Sequence, residues 1–93
     1  MSTQGTTTID FGTGASDAFI PVTGQAAFDA ALNNVEAWID PKATSNNTVD
    51  NHWVEEFYQP QITGKVTGTG FTIRLRVARG EAYGQYNLGW VWN

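Results

Sequence analysis

A chain of 93 residues, 41% hydrophobic and 13% aromatic, has the length of one domain and the apolar material for one core. It has no cysteine, which excludes disulfide staples and thiolate chemistry, and its net charge of −4 with five basic residues argues against a nucleic-acid surface. No apolar run reaches the length of a membrane span, and Met1-Ser2-Thr3-Gln4-Gly5 is no signal peptide, so no membrane role and synthesis in a cytoplasm are expected.

Residues 1–5 are polar and are expected to be flexible. Residues 6–11 are rich in β-branched side chains, and a strand there puts Thr7, Ile9 and Phe11 on one face. Residues 12–17 have turn composition, and residues 18–22 resume a strand with Ile20 and Val22 together. Pro21 has no N–H for a ladder, which places this strand at a sheet edge. The alanine-rich run at 25–32 predicts a helix of about two turns, capped by Thr23, with Phe28, Ala31 and Leu32 sharing a face.

Asn33 and Asn34 break that run. Residues 35–39 alternate again, Val35, Ala37 and Ile39 against Glu36 and Trp38, until Asp40-Pro41 ends the strand. Residues 42–51, dense in Thr, Ser, Asn and Asp, form the longest expected loop and a candidate functional surface. Residues 52–58 read as a strand, with Trp53, Glu55 and Phe57 opposite Val54, Glu56 and Tyr58.

Residues 62–66 form a short strand, and a glycine-rich turn leads into residues 70–77 as a hairpin. That second strand carries the cleanest alternation in the chain: Phe71, Ile73, Leu75 and Val77 against Thr72, Arg74 and Arg76. After a loop at 78–84, residues 85–92 close the chain, with Tyr86, Leu88, Trp90 and Trp92 on one face. Six to eight short strands with Gly, Pro and Asn between them predict an all-β fold. The expected form is a single small antiparallel β-sandwich over 1–93, jelly-roll-like or Greek key.

The chemistry-bearing residues are sparse. His52 is the sole histidine, and Asp50 beside it leaves a metal site without a third ligand, so no metal or cofactor is expected. Glu55 and Glu56 point to opposite faces of the expected strand and cannot act as a catalytic pair; an ion pair with Arg74 or Arg76 is the simpler role. No nucleophile elbow accompanies the serines, and the Gly-Thr-Gly turns at 12–14 and 68–70 lack the lysine of a phosphate loop, so no enzyme is expected.

The aromatic residues are left as the functional candidates. Tyr86, Leu88, Trp90 and Trp92 share a face of a terminal strand and form a candidate subunit interface. The competing candidate is a ligand-contact set of Trp38, Trp53, Asn46, Asn47 and Asp50 around the 42–51 loop. A short, unstapled, aromatic-rich domain is expected to be a homo-oligomer, a dimer or trimer.

Six short segments are spread in a consistent order over most of the chain. They are Thr8-Ile9-Asp10-Phe11-Gly12, Val22-Thr23-Gly24-Gln25, Val35-Glu36-Ala37-Trp38-Ile39, Asp50-Asn51-His52, Gly68-Thr69-Gly70-Phe71-Thr72-Ile73 and Trp90-Val91-Trp92. In these the chain resembles a group of short tailed-bacteriophage proteins whose roles are mostly unassigned. The resemblance implies a virion setting, as a capsid decoration or cement protein, head-fibre or tail protein. Such a protein is made in the bacterial host cytoplasm and acts by self-assembly and docking on other virion proteins. The alternative is a receptor- or carbohydrate-binding module at a fibre tip, using exposed Trp and Tyr with the 42–51 loop. The group offers no catalytic motif, and residues 78–83 match nothing in it.

Overall fold

The alternating strands close into two layers. A computed structural model describes residues 2–93. Its elements are β1 (Thr3–Asp10), β2 (Asp17–Val22), β3 (Val35–Ile39), α1 (Val49–Val54), β4 (Gln61–Val66), β5 (Gly70–Arg76) and β6 (Gln85–Trp92). One sheet has the order β1-β6-β3 and the other β2-β5-β4, with antiparallel neighbours throughout. The nested pairs β1–β6 and β2–β5 make this the expected jelly-roll-like sandwich, built from six strands. Among the described residues no helix is long and apolar enough to cross a membrane.

The core lies between the two central strands. Phe71, Ile73, Leu75 and Val77 are buried, as are Tyr86, Leu88, Trp90 and Trp92 from the facing sheet. Each such side chain contributes roughly 1.5–3 kcal/mol on burial. Strand β3 follows its alternation, with Ala37 buried and Glu36 and Trp38 exposed. Pro21 does sit on an edge strand, since β2 is the outer member of its sheet.

Three expectations are corrected. Residues 3–5 belong to β1, where Thr3, Gln4 and Gly5 pair with Trp92, Val91 and Trp90. The indole of Trp90 lies where a side chain at position 5 would stand, with a Cβ there only 2.5 Å from Cζ2. Glycine is what lets β1 lie flat against β6 at that point.

The helix at 25–32 does not form; turns occupy the segment. Its backbone groups are spent elsewhere. The Asp29 carboxylate accepts from Ala31 N–H at 2.9 Å, and Asn33 Oδ1 accepts from Asp29 N–H at 2.7 Å. Ala30 N–H goes to Thr67 Oγ1, and the Phe28 carbonyl accepts from Gly68 N–H. Asp and Asn side chains compete with the helical ladder in this way. Phe28 alone enters the core, edge-on to Trp92 at 5.4 Å, while Leu32 stays exposed.

The strand expected at 52–58 is replaced by α1 and an irregular exit. Thr48 caps the helix, accepting the Asn51 N–H on its hydroxyl, and extended backbone at Glu55 ends it. Only Phe57 keeps a strand-like bridge, to Val77, and Tyr58 N–H donates to the Arg76 carbonyl. Glu56 pairs with Arg79, and Arg74 pairs with Asp17, so the expected ion pairs between Glu55 or Glu56 and Arg74 or Arg76 are not made.

This packing predicts that Leu75→Ala lowers the unfolding free energy in urea by about 2–5 kcal/mol. Arg74→Ala, on the outer face, should cost less than about 1 kcal/mol through its lost ion pair. The reverse ranking would place the wrong face of β5 in the core.

Candidate functional site

The aromatic face of the terminal strand is turned inward. Tyr86, Leu88, Trp90 and Trp92 are buried within this chain, and even Trp92 is only 8% exposed. The turn after β2 covers the chain end: Trp92 Nε1–H donates to Gln25 Oε1 at 3.0 Å, and Phe28 packs on the ring. Asn34 and Asn93 exchange backbone hydrogen bonds of 2.9 and 3.0 Å, closing the ladder at its last residue. The expected subunit interface on these four side chains therefore lacks the exposed surface it needs.

His52 is the buried residue of α1. Its Nε2 accepts from Asn87 N–H at 3.0 Å, which fixes the proton on Nδ1, and that N–H donates to the Thr48 carbonyl at 2.8 Å. Both ring nitrogens are engaged, so the histidine ties α1 to β6 rather than presenting a metal ligand. It lies edge-on to Tyr86, with ring centres 4.9 Å apart.

The loop asparagines are also structural. Asn47 is buried, and its amide donates to the carbonyls of Tyr83 and Gln85 at 2.9 and 2.8 Å. Its Oδ1 accepts from Asn51, and Asn46 Oδ1 accepts from Gln85 N–H. These bonds fasten the 42–48 segment to the start of β6 and commit the buried Asn47 amide, against its expected ligand role, while Asn46 stays exposed. Asp50 stands exposed in the first turn of α1, and Trp53, 70% exposed, follows Val49 by one helical turn. A cleft of about 200 Å³ beside α1 is lined by Asn47, Asn51, Val54, Glu55, Tyr83 and Tyr86. Burial, with the Glu55 carboxylate adding to it, raises the Tyr86 phenol above its ordinary pKa.

Trp38 stands apart from Trp53 on the outer face of the β1-β6-β3 sheet. In register it lies opposite Gly89, and its indole covers the place where a side chain at 89 would project. On one side of it Gln4, Thr6 and Asp40 line an open groove of about 400 Å³. On the other, Glu36, Gln59, Pro60 and Ile62 line a groove of about 500 Å³ between β3 and β4. The ring is thus a ridge, 42% exposed, between two grooves.

The outer face of the β2-β5-β4 sheet carries a second arrangement. Arg74 stacks over Phe19 with its guanidinium carbon 5.4 Å from the ring centre, and Arg76 over Tyr58 at 4.9 Å. Asp17 sits between them in register, opposite Arg76 and bonded to Arg74 Nη2 at 2.8 Å. Phe19 and Tyr58 remain 55% and 51% exposed. Neither Phe19 nor Tyr58 stands among the candidate site residues read from the sequence. The period-2 pattern of β2 does point Phe19 away from Ile20 and Val22, but its partner follows only from the β2–β5 register.

No family model, curated protein or solved structure matches the chain.

Two predictions follow from the loop anchoring and the buried phenol. Asn47→Ala should lose on the order of 1–3 kcal/mol in urea unfolding, because the Tyr83 carbonyl loses the buried amide's donor and the Gln85 carbonyl is left with the Thr44 hydroxyl alone, whereas exposed Asp50→Ala should lose less than about 1 kcal/mol. Because the folded protein holds the Tyr86 proton above the ordinary value of 10.0, the stability linked to it is complete below that pH and is lost as pH rises through the folded pKa. Unfolding curves of the native chain should therefore weaken more steeply in that alkaline range than those of Tyr86→Phe; parallel curves would remove the linkage.

Proposed function

We propose that the chain is a non-enzymatic accessory protein of a bacteriophage particle, a capsid decoration, head-fibre or tail protein. It docks on another virion protein through the outer face of the β2-β5-β4 sheet. The observation behind this is the pair of arginines stacked on exposed Phe19 and Tyr58. Arginine and tyrosine dominate binding hot spots, and a guanidinium already laid on a ring loses less freedom when it binds. In a chain of net charge −4, this face gathers two of the five basic residues, which suits a partner surface rich in carboxylates. The virion setting rests on the resemblance of the ordered segments to the tailed-phage group.

A second reading has its own observation, the Trp38 ridge. A flat indole between two grooves, flanked by Gln4, Thr6, Asp40 and Glu36, suits stacking on a sugar ring with hydrogen bonds at its rim. This is the receptor- or carbohydrate-binding alternative, moved from the 42–51 loop to a sheet face.

Purified particles analysed by mass spectrometry test the first reading. The protein should be present in them, and Arg76→Glu should lower its incorporation about tenfold or more with unchanged circular dichroism. Absence from purified particles would end the virion reading. Glycan-array binding abolished by Trp38→Ala would favour the second.

A further inference from the structure

We propose that the chain pairs with a second copy of itself through the free edge of β1, two antiparallel β1 strands joining two three-stranded sheets into one. This does not depend on the virion reading, and it places self-association away from the β6 face.

The backbone phase of β1 sets which groups are available. Phe11 N–H donates to the Gly84 carbonyl at 2.9 Å, in register with the β1–β6 ladder. Asn93 and Asn87 of the alternate set on β6 bond instead to Asn34 and Asp40 beside β3. In an antiparallel ladder the bonding direction alternates residue by residue. Odd-numbered residues of β1 therefore bond β6, and the N–H and C=O groups of Gln4, Thr6, Thr8 and Asp10 point off the sheet. All four residues are exposed.

The other three edges are each obstructed. On β2, Ser16 bonds Val77, so Asp17, Phe19 and Pro21 face outward, and Pro21 has no N–H to offer. On β4, the register breaks between Thr63 and Val66, with Lys65 in the irregular stretch. On β3, the outward carbonyl of Ala37 is occupied by Gln59 Nε2 at 3.0 Å. Proline, lysine, bulges and capping groups are the devices that keep sheet edges from pairing. β1 has none of them over its eight residues, Thr3–Asp10, and Asp10 is its sole charge.

Those properties select a second copy. Two chains of net charge −4 repel, so a shared surface needs an uncharged strand, and β1 is uncharged from Thr3 to Ile9. A two-fold axis at Thr6 sets Thr6 of one copy opposite Thr6 of the other, and Gln4 opposite Thr8. The outward groups then meet as bonded pairs, giving about six backbone hydrogen bonds. Each Asp10 falls at an end of the ribbon opposite Ser2, away from its counterpart. The interface is isologous and closes as a dimer.

Sedimentation velocity from micromolar to submillimolar concentration tests this, together with amide hydrogen exchange. The native chain should form a dimer, and the amides of Gln4, Thr6 and Thr8 should gain protection as concentration rises. Thr6→Pro removes an outward donor, and Thr6→Lys sets two cations face to face. Both should weaken the dimer at least about tenfold, while Arg76→Glu leaves it intact. Should Thr6→Pro fold poorly, Thr6→Lys alone decides, since its side chain lies on the solvent face. A monomer at every concentration, or a dimer untouched by Thr6→Lys with no protection at these amides, would overturn the proposal.

Discussion

The indole of Trp90 holds the two layers of this protein together. It lies across Gly5 of β1 in direct register and meets Phe71 of β5 edge-on at 5.5 Å. One side chain thus joins the central strand of one sheet to its neighbour and to the central strand of the other. Its buried N–H has no partner among the described residues, a cost of about 1–3 kcal/mol that the packing must outweigh. Around it, Trp92 is closed in by Phe28 and Gln25, and Tyr86 by Phe11, Phe57 and His52. Because β6 turns its aromatic face inward, the surfaces free for other molecules lie on the outer sheet faces, on α1 and at the edges.

What was legible in the sequence follows how each segment buries itself. β3, β5 and β6 each have one buried face, so period-2 alternation shows them directly. The first residues of β1 showed nothing, because Thr3–Gly5 are ordered by pairing with the far end of the chain. At 25–32, helix propensity lost to Asp29 and Asn33, whose side chains take the amides a helix would use. α1 escaped notice because Trp53 and Val54 are exposed and only His52 is buried, so the segment has no apolar stripe. Its real signals were the Thr48 cap and the four-residue step from Thr48 to His52.

The candidate sites were harder to read than the fold. Asn46 and Asn47 have the composition of a binding loop, yet their amides fasten that loop to β6. Trp38 was correctly placed opposite the Ala37 face, but its exposed ring depends on Gly89 across the strand. The stacked arginines depend on register in the same way. The proposed surfaces are compatible in space. Pairing through β1 uses an edge of one sheet and leaves the Arg74–Arg76 face of the other sheet open in each copy.

The aromatic face of β6 is interior, and the exposed aromatics lie elsewhere. Fluorine NMR of the full chain with fluorinated tryptophan tests it directly, using a soluble paramagnetic agent and Trp38→Phe and Trp53→Phe for assignment. Strong broadening of the Trp38 and Trp53 signals is expected, with those of Trp90 and Trp92 left sharp. A Trp92 signal as strongly broadened as that of Trp53 would contradict it and return the contact surface to β6.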